Sequence, residues 1–274
     1  MASLIVDGNE VSYSESGSGP TLVLVHGQLC DYRYWEPQRA TLAKSYRVVA
    51  VSLRHFWPGH CDESSRTFTS DVHASDVGAF IAALDVGPVH LCGHSRGGYV
   101  TLRVAQRFPQ LLRTLTLAEP AGPVADPERA EPPTSAAFEA ALPQVLARLR
   151  AGDVDGGLTL FVDVVAGDGA WSRSAPAFKR MARDNAMTLL AQAKFEPVRA
   201  PIAYADVQSI AVPVLLIGGE RTPAPYPQTL TTLERALPDV RRVLIPRAGH
   251  AMNVENAPAF NRELLQFLDE NREI

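Results

Sequence analysis

The chain has 274 residues, enough for one large domain, and a formal net charge of −4 with no basic run, which removes the electrostatic case for nucleic acid or an anionic membrane. Hydrophobic residues make up 46% and charged residues 20%, the balance of a soluble globular protein that can bury a sizeable core. Its three cysteines, Cys30, Cys61 and Cys92, are scattered without a CxxC pair, which argues against a disulfide framework or a thiolate zinc site and for a reducing compartment.

From the start of the chain, "SLIVDGNEVSYSES" alternates around a DGN turn and predicts a β-hairpin. The stretch before and around it has neither a basic leader nor a long apolar core, so a cytoplasmic protein is expected, and no apolar run is long enough to span a bilayer. "TLVLVHG" is a continuous apolar run, the mark of a strand covered on both faces. "YRVVAVSL", "VHLCGHS", "TLTLAEP", "VPVLLIGGE" and "RRVLIPRAGH" follow as further runs. Helical patterns separate them: "SDVHASDVGAFIAALDV", with a Ser or Asp to cap it, "GGYVTLRVAQRFP" and "APAFNRELLQFLDENR". Strands alternating with helices predict an α/β protein with a mostly parallel, doubly wound sheet.

The stretch from 122 to 206 breaks the rhythm. "GPVADPERAEPPTS" reads as a loop, and three helical patterns follow with no strand between them. The expected organisation is a core of residues 1–121 and 207–274 with a helical cap, 122–206, inserted into it.

Within "LCGHSRGGYV", Gly93-His94-Ser95-Arg96-Gly97 matches G-x-S-x-G between a strand and a helix. Glycines permit the tight turn, and the central Ser95 is lifted to the top of the sheet with its hydroxyl exposed. A hydroxyl is a poor nucleophile until a base takes its proton. Of seven histidines, His250 is the best placed, in the loop after the last strand. His94 lies beside Ser95 but diverges on the turn, His26 is expected to pack or hydrogen-bond near the site, and His73 and His90 read as structural. His55 and His60, with Cys61 and Asp62, form a conceivable metal cluster, but the absence of a matching distant cluster favours a loop beside the pocket. No metal and no cofactor are expected: there is no Walker pattern, and "GHSRGG" lacks the dinucleotide spacing.

"LVHG", "SLR", "GHSRGG", "GGE" and "GHAMNVENAPAF" occur in that order over nearly the whole chain, and the sequence resembles the cap-bearing α/β-hydrolases. The resemblance implies a Ser-acid-His triad in that chain order and an oxyanion hole made by the backbone N–H groups of Gln28 and Arg96. It also implies that the loops carrying Trp35 and Trp57 border the site. Phe138, Phe161, Trp171, Phe178 and Met181 in the cap either line an apolar pocket or pack its helices, and Trp171 is taken as a substrate-binding candidate with His26, Trp35 and Trp57.

The acid is the irregular part. The family usually carries an Asp two residues after the Glu of the Gly-Glu pair, where this chain has Thr222. Certain haloalkane dehalogenases and a zearalenone-type lactone hydrolase place the acid at the end of the earlier strand, where this chain has Glu119. Glu119 is therefore the expected acid, with Glu220 the alternative. The implied activity is hydrolysis of an ester, lactone, amide or carbon–carbon bond of a small, mostly apolar substrate through an acyl-enzyme. Alternatives on the same fold are a cofactor-free dioxygenase or a lyase, or a ligand-binding receptor. The only partner expected is the small-molecule substrate; oligomeric state is not legible in the sequence.

Overall fold

The computed structural model describes residues 1–62, 65–129 and 135–272. The hairpin is present: β1 (Ala2–Val6) and β2 (Asn9–Ser16) pair antiparallel around Asp7 and Gly8, both at positive φ. Next come β3 (Thr21–Val25), α1 (Glu36–Leu42), β4 (Arg47–Val51), α2 (Ser70–Ala83), β5 (Val89–His94), α3 (Arg96–Arg107) and β6 (Leu112–Ala118). A helical segment follows with α4 (Ala136–Arg150), α5 (Val154–Ala166), α6 (Ala170–Arg173), α7 (Pro176–Asp184), α8 (Thr188–Phe195) and α9 (Tyr204–Gln208). The chain closes with β7 (Val214–Gly219), α10 (Tyr226–Ala236), β8 (Val240–Ile245), α11 (Met252–Glu255) and α12 (Ala257–Glu270).

The strands form one eight-stranded sheet in the order β1-β2-β4-β3-β5-β6-β7-β8, parallel from β4 to β8. Alternation along the strands explains the apolar runs. Val23, Val25, Leu91, Leu115, Leu117, Val214 and Leu216 face one core with residues of α2, α3 and α10. Leu22, Leu24, Cys92, Leu215 and Ile217 face a second core with α12 residues such as Phe260 and Phe267. Each such side chain taken out of water contributes about 1.5–3 kcal/mol. β8 departs from the expectation of a doubly covered strand. It is the sheet's edge, and its Leu244 is 54% exposed.

Two local expectations are corrected. The cap of α2 is Thr69, whose side chain accepts from Val72 N–H at 3.2 Å, rather than a Ser or Asp. The last of the three helical patterns between β6 and β7, "AFKRMARDNAMTLLAQAKF", is two helices, because the chain breaks at Asn185–Met187. Asn185 is turned into the protein, donating to Met181 O at 2.9 Å and to Asp31 Oδ2 at 2.8 Å, and accepting from Trp57 N–H at 2.8 Å.

Between β6 and β7 the described residues contain helices and a single bridge, Val124 with Ile202, where the outgoing and returning chain meet. The helices have a core of their own that includes Val145, Leu149, Leu158, Phe161, Trp171 and Leu189. Leu29, at φ 62, projects into it from the loop after β3. The expected boundary at 206 falls inside α9, which packs on α10 and so belongs with the sheet. Of the loop expected over 122–135, residues 130–134 lie outside the described residues.

Candidate active site

Ser95 stands between β5 and α3 with φ 54 and ψ −121, a conformation rare for a residue with a side chain. Close packing holds it there. Its N–H donates to Ala118 O at 2.9 Å, and its carbonyl accepts from Tyr99 and Ala121 N–H at 3.1 and 2.9 Å. A Cβ on Gly93 would overlap the Gly97 carbonyl and Thr101 Oγ1, and one on Gly97 would overlap the carbonyls of Val25 and His26. The G-x-S-x-G spacing is thus a packing requirement on both sides of the serine.

Arg96 is the first residue of α3, so its N–H has no carbonyl one turn earlier to bond. Gln28 lies in the turn beside the elbow, where a Cβ on its neighbour Gly27 would stand 3.0 Å from Ser95 Cβ. The Gln28 side chain donates to Thr188 Oγ1 of α8 at 2.8 Å, which ties this turn to the helical segment.

Glu119 directly follows β6, with φ 45, and is 1% exposed. A carboxylate this deeply buried needs partners, and both oxygens have them. Oε1 accepts from Gly219 N–H at 2.7 Å, and Oε2 meets His250 Nδ1 at 2.7 Å. This bond fixes the proton on Nδ1 and leaves Nε2 as the basic nitrogen. Nε2 is buried and has no partner, so His250 and Ser95 are not hydrogen-bonded to one another in this arrangement. Such contacts are often loose before substrate binds. Glu220, the alternative acid, turns outward and accepts from Arg247 N–H at 2.7 Å. Thr222 is buried, with its Oγ1 unpaired.

The other candidates are placed as follows. His26 is fully buried. Its Nδ1 lies 2.8 Å from Gly27 O and its Nε2 accepts from Leu53 N–H at 3.0 Å, so it braces two loops instead of facing a pocket. Burial pushes its pKa down to about 4. Trp35 is 1% exposed and packs on Phe260 in the second sheet core, and the cleft it borders is lined by Tyr32, Arg33 and Glu36 and not by Ser95 or His250. Trp171 belongs to the core of the helical segment, with Lys179 and Arg183 over its ring. Trp57 keeps some exposure and lies under the Arg33 guanidinium, 3.8 Å from the ring centre. Among the described residues no group of His, Cys, Asp and Glu could hold a metal ion, and no helix is long and apolar enough to cross a membrane.

Several contributors escaped the sequence. His94 Nε2 bonds the His250 carbonyl at 2.8 Å and anchors that loop, while burial and the neighbouring His250 push its pKa down to about 3. The Arg96 side chain is 1% exposed and pairs with Glu196, just past α8, at 2.9 Å. Glu196 also pairs with Arg199 at 3.0 Å, and Arg199 donates to Ala121 O at 2.6 Å. The helical segment thereby grips both the residue after Ser95 and the chain leaving Glu119. Tyr226 stacks on His250, with ring centres 4.0 Å apart and planes at 24°.

A serine on a strand-to-helix elbow, a buried carboxylate–imidazole pair and a doubly wound sheet define an α/β-hydrolase enzyme. The chain belongs to the alpha/beta hydrolase family, whose family model matches residues 22–263. It is 29% identical over 271 residues, 96% of this chain and 68% of the relative, to a dihydrolipoyllysine-residue acetyltransferase component of an acetoin cleaving system from Pseudomonas putida. It is 24% identical over 277 residues, 93% of this chain and 90% of the relative, to a 2-(acetamidomethylene)succinate hydrolase from Mesorhizobium japonicum. The match to uncharacterized Mycobacterium bovis and Mycobacterium tuberculosis proteins is partial, 31% identical over 121 residues, 44% of this chain and 35% of the relative. Its fold is similar to that of the enol-lactonase from Burkholderia xenovorans, with a TM-score of 0.76, 23% identity, and 98% of this chain and 100% of that one covered.

Proposed function

We propose that the protein is a serine hydrolase acting on an ester, lactone, amide or carbon–carbon bond next to a carbonyl, in a small and mostly apolar substrate. The observation that carries this reading is the 2.7 Å pair of Glu119 and His250, with Nε2 of that buried imidazole left free. Ser95 Oγ attacks the carbonyl carbon as His250 Nε2 takes its proton. The carbonyl oxygen gains the negative charge and is met by the N–H groups of Gln28 and Arg96. Each such donor is worth about 3–4 kcal/mol in the transition state. Collapse of the intermediate breaks the bond to the leaving group, which takes the proton from His250. Water, deprotonated by the same imidazole, then releases the acid and restores Ser95.

Glu119 keeps the basic nitrogen turned outward and stabilises the imidazolium formed in each half. The helical segment acts as the cap. Leu29, Gln28 and Arg96 each contact it, and all three lie at or beside the proposed oxyanion hole. The hydrolase and lactonase names among the similar proteins agree with carbonyl chemistry.

The test is fluorophosphonate labelling together with turnover of a panel of p-nitrophenyl esters, lactones and diketones. Wild type labels at Ser95 and turns over at least one class, whereas Ser95→Ala does neither. Oxygen-dependent turnover that survives Ser95→Ala would replace this reading with the cofactor-free dioxygenase, for which an acid on β6 is also suited.

A further inference from the structure

The loop after β7 does not supply the acid, yet it still meets the base. Tyr226 opens α10 between Pro225 and Pro227, and its ring lies nearly parallel to the His250 imidazole at 4.0 Å. The other ring beside His250, that of His94, is farther off and more tilted, at 4.8 Å and 41°.

A single hydrogen bond at Nδ1 pins one atom of the imidazole and leaves the plane of the ring free to turn about it. A flat contact against the ring removes that freedom. It also responds to charge: the face of a phenol attracts a cation, and His250 becomes one only after taking the serine proton. The attraction therefore grows toward the transition state, where it lowers the barrier. Burial, with Glu119 nearby, pushes the Tyr226 phenol up, so the ring stays neutral while the imidazole charges.

We propose that Tyr226 is a positioning residue for the base, holding the imidazole plane through its ring and stabilising the imidazolium. The role belongs to the ring and not to the hydroxyl. It rests on the reading of His250 as the base, and the test separates the two.

The experiment compares wild type with Tyr226→Phe, Tyr226→Leu and Tyr226→Met, using p-nitrophenyl acetate kinetics, thermal melting, and the His250 ring-proton resonances assigned by NMR. A stacked ring shields those protons. The expected result is an upfield pair in wild type and Tyr226→Phe that moves downfield in the Leu and Met variants. With it, kcat falls about fivefold in the Leu and Met variants at little change in KM, while Tyr226→Phe stays within about twofold of wild type. A role in folding alone would lower the melting temperature and leave kcat of the folded protein intact, and that outcome overturns the proposal. So does loss of activity in Tyr226→Phe equal to that in Tyr226→Leu, which would make the hydroxyl the active part. If Leu does not fold, Met carries the same comparison. A wild type that fails to label at Ser95 would refute the hydrolase reading, while the ring-proton shifts would still report whether the stack exists.

Discussion

Glu119 and His250, 131 positions apart in sequence, meet at 2.7 Å beneath the surface, and the second oxygen of Glu119 is held by the backbone N–H of Gly219 on the neighbouring strand. Because one oxygen is fixed to the sheet, the carboxylate presents the other at a set angle. Replacing Glu119 by Gln keeps the shape but removes the charge and permits the wrong imidazole tautomer. A fall in kcat of about 10³–10⁴ is expected, while Glu220→Gln stays near wild type. Steady-state kinetics on one ester decides it, and the reverse pattern would move the acid to Glu220.

Thr222 sits where the family's Asp usually stands, buried and with an unpaired hydroxyl, in the loop that begins beside Gly219. In a Glu119→Gln background, Thr222→Asp is expected to restore about tenfold of the lost kcat, because a carboxylate from either strand end can serve the same imidazole. In the wild-type background it lowers activity by placing a second anion near Glu119. Kinetics of the single and double variants measure both effects.

Stability should rise with pH across the acid range. Burial would raise the Glu196 carboxyl, but Arg96 and Arg199 outweigh it and hold the group at about 2, below its ordinary 4.5. Its contribution is complete above pH 4.5 and is lost as pH falls toward 2. Buried His26 and His94 are held at about 4 and about 3 against an ordinary 6.5, so the unfolded chain takes their protons first. That costs stability as pH drops below 6.5. Urea unfolding between pH 7 and 3 is expected to show this slope. Glu196→Gln would flatten the part below pH 4.5 and be less stable at neutral pH.

Asn185 binds Asp31 and the Trp57 N–H at once, so Asn185→Ala leaves the Trp57 N–H without its acceptor and Asp31 Oδ2 with Arg33 as its remaining partner. A loss of about 2–3 kcal/mol is expected in denaturant titration, with the proposed cap held less firmly over the site. A change under about 0.5 kcal/mol would mean that these contacts do not couple the two parts.

Much of this was legible because it is local. Ser95 could be found from glycines that must sit two residues either side of it, and the strands from apolar runs that the two-sided burial of the sheet requires. Glu119 is legible as an acid directly after a buried strand, in a chain that has Thr222 at the usual Asp position. What was hidden depends on contacts between distant segments. Trp35 looks like any loop tryptophan until α12 is seen to pack on it. Arg96 is marked in the sequence by its backbone position after Ser95, and nothing there links its side chain to Glu196. Asn185 interrupts an apolar pattern by one polar residue, a faint sign of the break between α7 and α8. Tyr226 had the clearest unused signal, a ring framed by prolines in the loop that lacks its acid.

The place of Glu119 has a practical corollary. With the proposed acid directly after β6, the exposed turn residues Pro223 and Ala224 carry no proposed catalytic duty and become ground for insertion or randomisation, provided Tyr226 and buried Thr222 are kept. The stretch from Pro120 to Ala125 is the opposite case. It leaves Glu119, bonds the carbonyl of Ser95 through Ala121 and runs straight into the bridge at the foot of the helices. A graft that alters its length would reset lid and chemistry together.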